Sequence, residues 1–124
     1  MRLRNNTFVL KERFPTYLSP RLKPVYHNQI VKAMVEQCGG DLFFGEGIPV
    51  SIEIEIMSVR PKTTKLEKEN QINHTGFPKV STVLAHFMEA LKGAAYISES
   101  QVADVFITKV RGNEDRIRVT ISRL

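Results

Sequence analysis

Val50-Ser51-Ile52-Glu53-Ile54-Glu55-Ile56 alternates branched apolar residues with polar ones. A period of two puts Val50, Ile52, Ile54 and Ile56 on one face and Ser51, Glu53 and Glu55 on the other, the pattern of a strand with one buried and one wet face. Glu53 and Glu55 are close enough along such a strand to share a cation, but the wet face opposite a buried one accounts for them. Upstream, Ile30, Val31, Met34, Val35 and Cys38 recur at helical spacing, and Gly39-Gly40 supplies a stop, so a helix is expected from about 25 to 37. Downstream, Val83, Leu84, Phe87, Met88 and Leu91 repeat that stripe, with Ser81 as the expected N-cap and Gly93 as terminator.

The flanks complete the pattern. Thr7 to Leu10 is β-favouring, and the following segment with Pro15, Pro20 and Pro24 is expected neither to continue a sheet nor to start a long helix. Residues 101–110 and 116–122 are β-rich and separated by Gly112-Asn113-Glu114-Asp115, which predicts an antiparallel hairpin. Between Ser58 and Pro78 no period is sustained, and the reading is a long loop of the kind that carries contacts. The order β, α, β, loop, α, β, β predicts an α+β fold, with two helices packed on a mixed β-sheet and a C-terminal antiparallel hairpin.

With 124 residues, 42% of them hydrophobic and 25% charged, the chain fits one globular domain over 1–124 at roughly 100–200 residues per domain. The one cysteine, Cys38, excludes an internal disulfide and any paired-cysteine metal site, and its place on a helix stripe makes it a small buried hydrophobe. Apolar runs such as Phe8 to Leu10 are only a few residues long, so a soluble, cytoplasmic protein without a membrane span is expected. His27, His74 and His86 lack metal-ligand spacing, and no phosphate-cradling glycine loop or nucleophile elbow occurs.

The excess of eighteen Lys and Arg over thirteen Asp and Glu is uneven. Arg2, Arg4, Lys11, Arg13, Arg21 and Lys23 face a single acid, Glu12, near the start, and Arg60, Lys62, Lys65, Lys68 and Lys79 surround the long loop. Both segments are loops on the predicted scaffold, so a phosphate-binding surface made from Arg13, Arg21, Lys62, Lys65 and Lys79 is expected.

Pro78, then Glu89-Ala90-Leu91, then Ser98-Glu99-Ser100-Gln101-Val102 and a strand carrying Lys109 follow one another with a distinctive spacing. Through these residues the chain resembles the RusA family of Holliday-junction resolvases. That family shows Lys-Pro-Asp-x-Asp-Asn-Leu-x-Lys opening a helix, Asp-Ala-Leu near its end, and Asp-Asp-x-Gln-Val leading into a strand with a lysine. Ser19-Pro20-Arg21 before a helix and the strand ending near Arg60-Pro61-Lys62 extend the likeness over nearly the whole chain. The resemblance implies a homodimer acting on branched DNA in recombination and repair, phage-borne as many family members are, a Mg²⁺ cofactor held by carboxylates, and nucleic-acid contact through Lys109.

The departures fall on the chemistry. Lys79 and Ser81 stand where the family places two aspartates, Thr82 where it has asparagine and Ala85 where it has lysine, and only Glu99 keeps a carboxylate. Glu99 is therefore the candidate catalytic and metal residue, with Glu89 as a second catalytic candidate and Asp104 as another substitute ligand. A lysine in place of an anionic ligand opposes a divalent ion. Binding of four-way junctions with cleavage lost or impaired is the first expectation. The alternatives are an active Mg-dependent endonuclease with a displaced site around Glu89 and Glu99, and a non-DNA interaction protein on the same scaffold.

Overall fold

In the computed structural model, residues 6–39, 42–59 and 78–124 are described. The alternating segment forms β2, Val50–Val59. It lies inside a four-stranded sheet with β1 (Thr7–Leu10), β3 (Val102–Gly112) and β4 (Arg116–Arg123), in the order β1-β4-β2-β3. β2 runs parallel to β3 and antiparallel to β4, and β1 runs antiparallel to β4, so the sheet is mixed. Two helices, α1 (Lys23–Cys38) and α2 (Val80–Leu91), pack on it, as the α+β reading expects.

The period-two reading of β2 holds in the burial. Val50, Ile52, Ile54 and Ile56 join Ile117, Val119 and Ile121 of β4, and Tyr26, Ile30, Met34, Val83, Phe87 and Leu91 of the helices, in one buried cluster. On the other face Glu53 is exposed, and Glu55 takes ion pairs from Arg116 at 3.4 Å and Arg118 at 3.2 Å across the β2–β4 ladder. That places both acids on the outer face, as their alternation requires.

The expected hairpin does not form. β3 and β4 are separated by β2, which ladders with both. The most apolar strand takes one of the two interior places, beside β4, while β3, which carries Asp104, Lys109 and Arg111, goes to the edge. The connection from Gly112 to Arg116 arches over the end of β2, where Asp115 Oδ1 accepts the Val59 N–H at 3.0 Å.

The helices differ from expectation at their starts. Pro24 lies in the first turn of α1, where its missing N–H costs nothing, so the proline segment does begin a helix. Ser19 anchors that start: its carbonyl accepts the Leu22 and Lys23 N–H groups at 3.0 and 2.9 Å. With this start the buried stripe is Tyr26, Ile30, Ala33, Met34 and Cys38, and Val35 of the expected stripe is 43% exposed. In α2 the N-cap is Lys79, not Ser81, because the extended backbone after Pro78 lets the helix begin at Val80 and Lys79 O accept the Thr82 and Val83 N–H groups. The predicted apolar face stands: Val83, Phe87 and Leu91 are buried, and Leu84 and Met88 pack against the core.

Phe87 is fully buried. Phe87→Ala is expected to lower unfolding free energy by about 3–5 kcal/mol. Urea melts of the two proteins measure it, and a loss below about 1 kcal/mol would contradict this packing.

Candidate nucleic-acid interface

The start of α2 is cationic. Lys79 is its exposed N-cap residue, no acid lies in the first turn, and the exposed Ser81 and Thr82 follow. Lys109, on β3 beside Ile56 of β2, reaches this turn and donates from Nζ to Pro78 O at 3.0 Å. Burial holds the Lys109 ammonium below its ordinary range, and the Arg111 guanidinium pushes it further down. The unpaired N–H groups of a helix's first turn add partial positive charge. Lysine and helix end together favour an anion and repel Mg²⁺.

Glu99 lies elsewhere. It opens a short 3₁₀ turn, Glu99–Gln101, at the start of β3. Gln101 is buried and fixes this turn: its Oε1 accepts the Ile97 and Ser98 N–H groups at 2.8 and 2.9 Å, and its Nε2 donates to Gly45 O at 2.7 Å and Ile48 O at 3.1 Å. From Val102, just after the turn, to Lys109 at the start of α2 is about 23 Å of strand at ~3.3 Å per residue. Tyr96 gives an independent marker. Its hydroxyl donates to Met88 O in the last part of α2 at 2.6 Å, and its pKa is raised by burial first and by the nearby Glu99 charge second. Within one chain, Glu99 and the Lys79–Ser81 turn therefore stand at opposite ends of α2.

Glu89 belongs to a third group, where the two helices meet. Its carboxylate pairs with Lys23 of α1 at 3.0 Å, and that hydrogen bond is the first cause holding its pKa down. Beside it His27 Nε2 and His86 Nδ1 share a hydrogen bond of 2.9 Å. Their ring centres are 5.2 Å apart, the separation expected when both nitrogens lie on the line between the rings. Contacts of 23 with 89 and 27 with 86 make α1 and α2 antiparallel, so the exposed Arg21, just before α1, sits towards the Glu99 end. Arg13 is exposed and precedes Phe14, whose ring tilts against His86 at 5.8 Å.

The expected basic surface is thus divided: Lys79 and Lys109 at one end of α2, Arg21 towards the other, with Arg13 beside the helix pair. Lys62, Lys65, Arg60, Lys68 and His74 lie outside the described residues. Asp104 is exposed on β3 beside Ser51. The Gln101 clamp went unread in the sequence, although Ser98-x-x-Gln101 has the spacing of a capping box, which the structure forms. The His27–His86 contact carried no such signal.

The endodeoxyribonuclease RusA family model matches residues 4–122. The chain belongs to the RusA family. No curated protein matches it. RusA membership implies Holliday-junction resolvase activity, and the family's nucleases depend on a metal, typically Mg²⁺. Among the described residues of this RusA chain, the donor set does not fit that ion. Lys79 brings a cation and Ser81 a neutral hydroxyl, Glu89 is engaged by Lys23, and among the described residues no three His, Cys, Asp or Glu side chains converge as a ligand set. No helix among the described residues is long and apolar enough to cross a membrane.

The histidine pair makes stability pH-dependent. Burial is the largest cause holding both imidazoles below their ordinary 6.5, and Lys23 lowers both further while Glu89 opposes. The folded state thus favours neutral rings, whereas an unfolded chain gains protons near pH 6.5. Their contribution is fully present above about pH 6.5 and is lost as pH falls through the lower folded values. Denaturant midpoints are expected to drop between about pH 7 and 5, and less so in a His27→Gln/His86→Gln double variant; equal drops in both would refute the assignment.

Proposed function

We propose that this chain, as one domain over 1–124, is a homodimer that binds four-way DNA junctions in recombination and repair, with metal-dependent cleavage lost or impaired. Family membership supports the junction. The observation that carries the finer reading is Lys79, exposed at the N-terminal end of α2 where the family pattern has an acid, with Lys109 bonded into the same turn. A phosphate placed there meets a lysine and the positive end of a helix without an intervening metal. Lys79 then supplies attraction that a bound cation provides elsewhere, and the exposed Arg13 and Arg21 contact another part of the backbone. Lys62 and Lys65 add charge that favours phosphate, and Lys109 acts through the turn it holds. A two-fold dimer suits a four-way junction because two like strands are engaged together.

Each phosphate neutralised on duplex arms contributes about −0.9 to the log–log dependence of binding on salt, so binding is expected to weaken steeply as salt rises. Gel shifts on a four-way junction in EDTA are expected to show binding for the wild type and weaker binding with a shallower salt slope for Lys79→Asp. Unchanged affinity in that variant would favour the interaction-protein reading. A junction bound no better than a linear duplex of equal length at low salt would remove the branched-DNA assignment.

Cleavage is tested separately. Incubation of the junction with Mg²⁺ is expected to leave it intact for wild type and Glu99→Gln alike. Stoichiometric Mg²⁺ binding by calorimetry, with cleavage abolished in Glu99→Gln, would instead establish an active enzyme with its metal at Glu99 and Glu89.

A further inference from the structure

The loop between β1 and α1 holds an aromatic ring out in solvent, and its neighbours fix it there. Phe14 is buried, with its ring edge-on to Tyr26 at 5.5 Å, and Leu18 packs against the core. Ser19 accepts the Leu22 N–H through its carbonyl at 3.0 Å and through its Oγ at 3.2 Å. Pro15 and Pro20 narrow the backbone on either side. Tyr17 lies between these anchors. It is 74% exposed, and among the described residues it has no hydrogen bond or ring contact. A ring this large left in water forgoes the stabilisation that burial gives. The exposed Arg13 and Arg21 stand four residues before and after it, within about 14 Å along the chain at ~3.5 Å per residue, and no acid lies between them.

We infer that Tyr17 stacks on a base face exposed at the branch point of a DNA junction, with Arg13 and Arg21 on the flanking phosphates, and thereby makes the chain prefer branched over linear DNA. The inference rests on the junction-binding reading above and names the residue that discriminates within it. In the interior of a linear duplex every base lies between stacked neighbours, and exposing its face costs the unstacking. Where four arms meet, the stack is interrupted, and a face is open without that cost. An aromatic ring stacks on any base, so the contact reads the shape of the junction and not its sequence. The charge along the loop selects the partner: two arginines with no acid between them favour a polyanion over an apolar protein surface as the cover of the ring. Because Phe14, Leu18 and Ser19 already hold the loop, little further ordering is needed on binding.

Fluorescence titrations in EDTA test the contact, with a purine analogue that dims on stacking placed at the branch point of a four-way junction or inside a linear duplex of equal length. The wild type is expected to quench the branch-point probe as it binds. Tyr17→Ala is expected to bind the junction about tenfold more weakly and without quenching, and to bind the linear duplex as the wild type does. Tyr17→Phe keeps the ring and is expected to match the wild type on both. The exposure of Tyr17 leaves both variants with the circular dichroism spectrum of the wild type. Equal junction affinity and quenching in wild type and Tyr17→Ala would overturn the inference and leave junction binding standing. An equal loss on junction and duplex, or a Tyr17→Phe as weak as Tyr17→Ala, would also overturn it, since the contact would then be a general one or one made by the hydroxyl. A lower denaturant midpoint in Tyr17→Ala with junction affinity unchanged would refute it in favour of a cover from the chain itself. A wild type that binds the junction no better than the duplex would remove the branched-DNA reading and this inference together.

Discussion

β2 is held on both sides, parallel to β3 and antiparallel to β4, and the separation of Lys79 from Glu99 follows from that insertion. Parallel neighbours cannot be joined by a tight turn, so the chain must leave the end of β2 and return to the start of β3 by a crossover that includes α2. A helix in such a crossover begins near the ends of the strands and finishes near their beginnings. The start of α2, with Lys79, is accordingly met by Lys109 from the later part of β3, while Glu99 sits where β3 begins. The separation of Lys79 from Glu99 is a property of the topology, and no rotamer change within one chain removes it. The carboxyl ends of strands flanking a helix start are also where α/β sheets receive ligands, which agrees with an anion at Lys79.

Among the described residues, the first turn of α2 carries a lysine at its cap and no acid. An aspartate at the N-terminus of a helix is favoured by the helix and gathers cations; a lysine there is opposed by it and gathers anions. The local partners follow suit, since the carbonyl of Pro78 takes the Lys109 ammonium and no first-turn acid competes for either lysine. At the opposite end, Glu89 is neutralised by Lys23, so its charge is spent on joining α1 to α2.

The parts of this fold that were legible in the sequence are those fixed by local periodicity. The alternation from Val50 to Ile56 and the stripe from Val83 to Leu91 needed no knowledge of partners, and both match the burial. The hairpin of β3 and β4 was illegible because turn residues specify a reversal and not which strands pair. A competitor as apolar as β2 enters between them, and Asp115 stitches the arch to Val59. In α1 Pro24 was read as a breaker although its place in the first turn makes it a starter, and Tyr26 and Ala33, not Val31 and Val35, complete the buried stripe with Ile30, Met34 and Cys38. At the candidate site the residues carrying the family pattern were legible one by one, whereas their division between two ends of α2 was not, and the His27–His86 bond joins residues fifty-nine positions apart.

The division of the basic residues has a structural origin of the same kind. Within one chain, Lys79 and Lys109 mark the end of the sheet where α2 begins, and Arg21 lies towards the end where α2 finishes, because α1 and α2 run antiparallel and Lys23 meets Glu89. A single phosphate therefore cannot meet Lys79 and Arg21 together, and among the described residues any one anion at the start of α2 is held by the lysine and by the positive end of the helix alone.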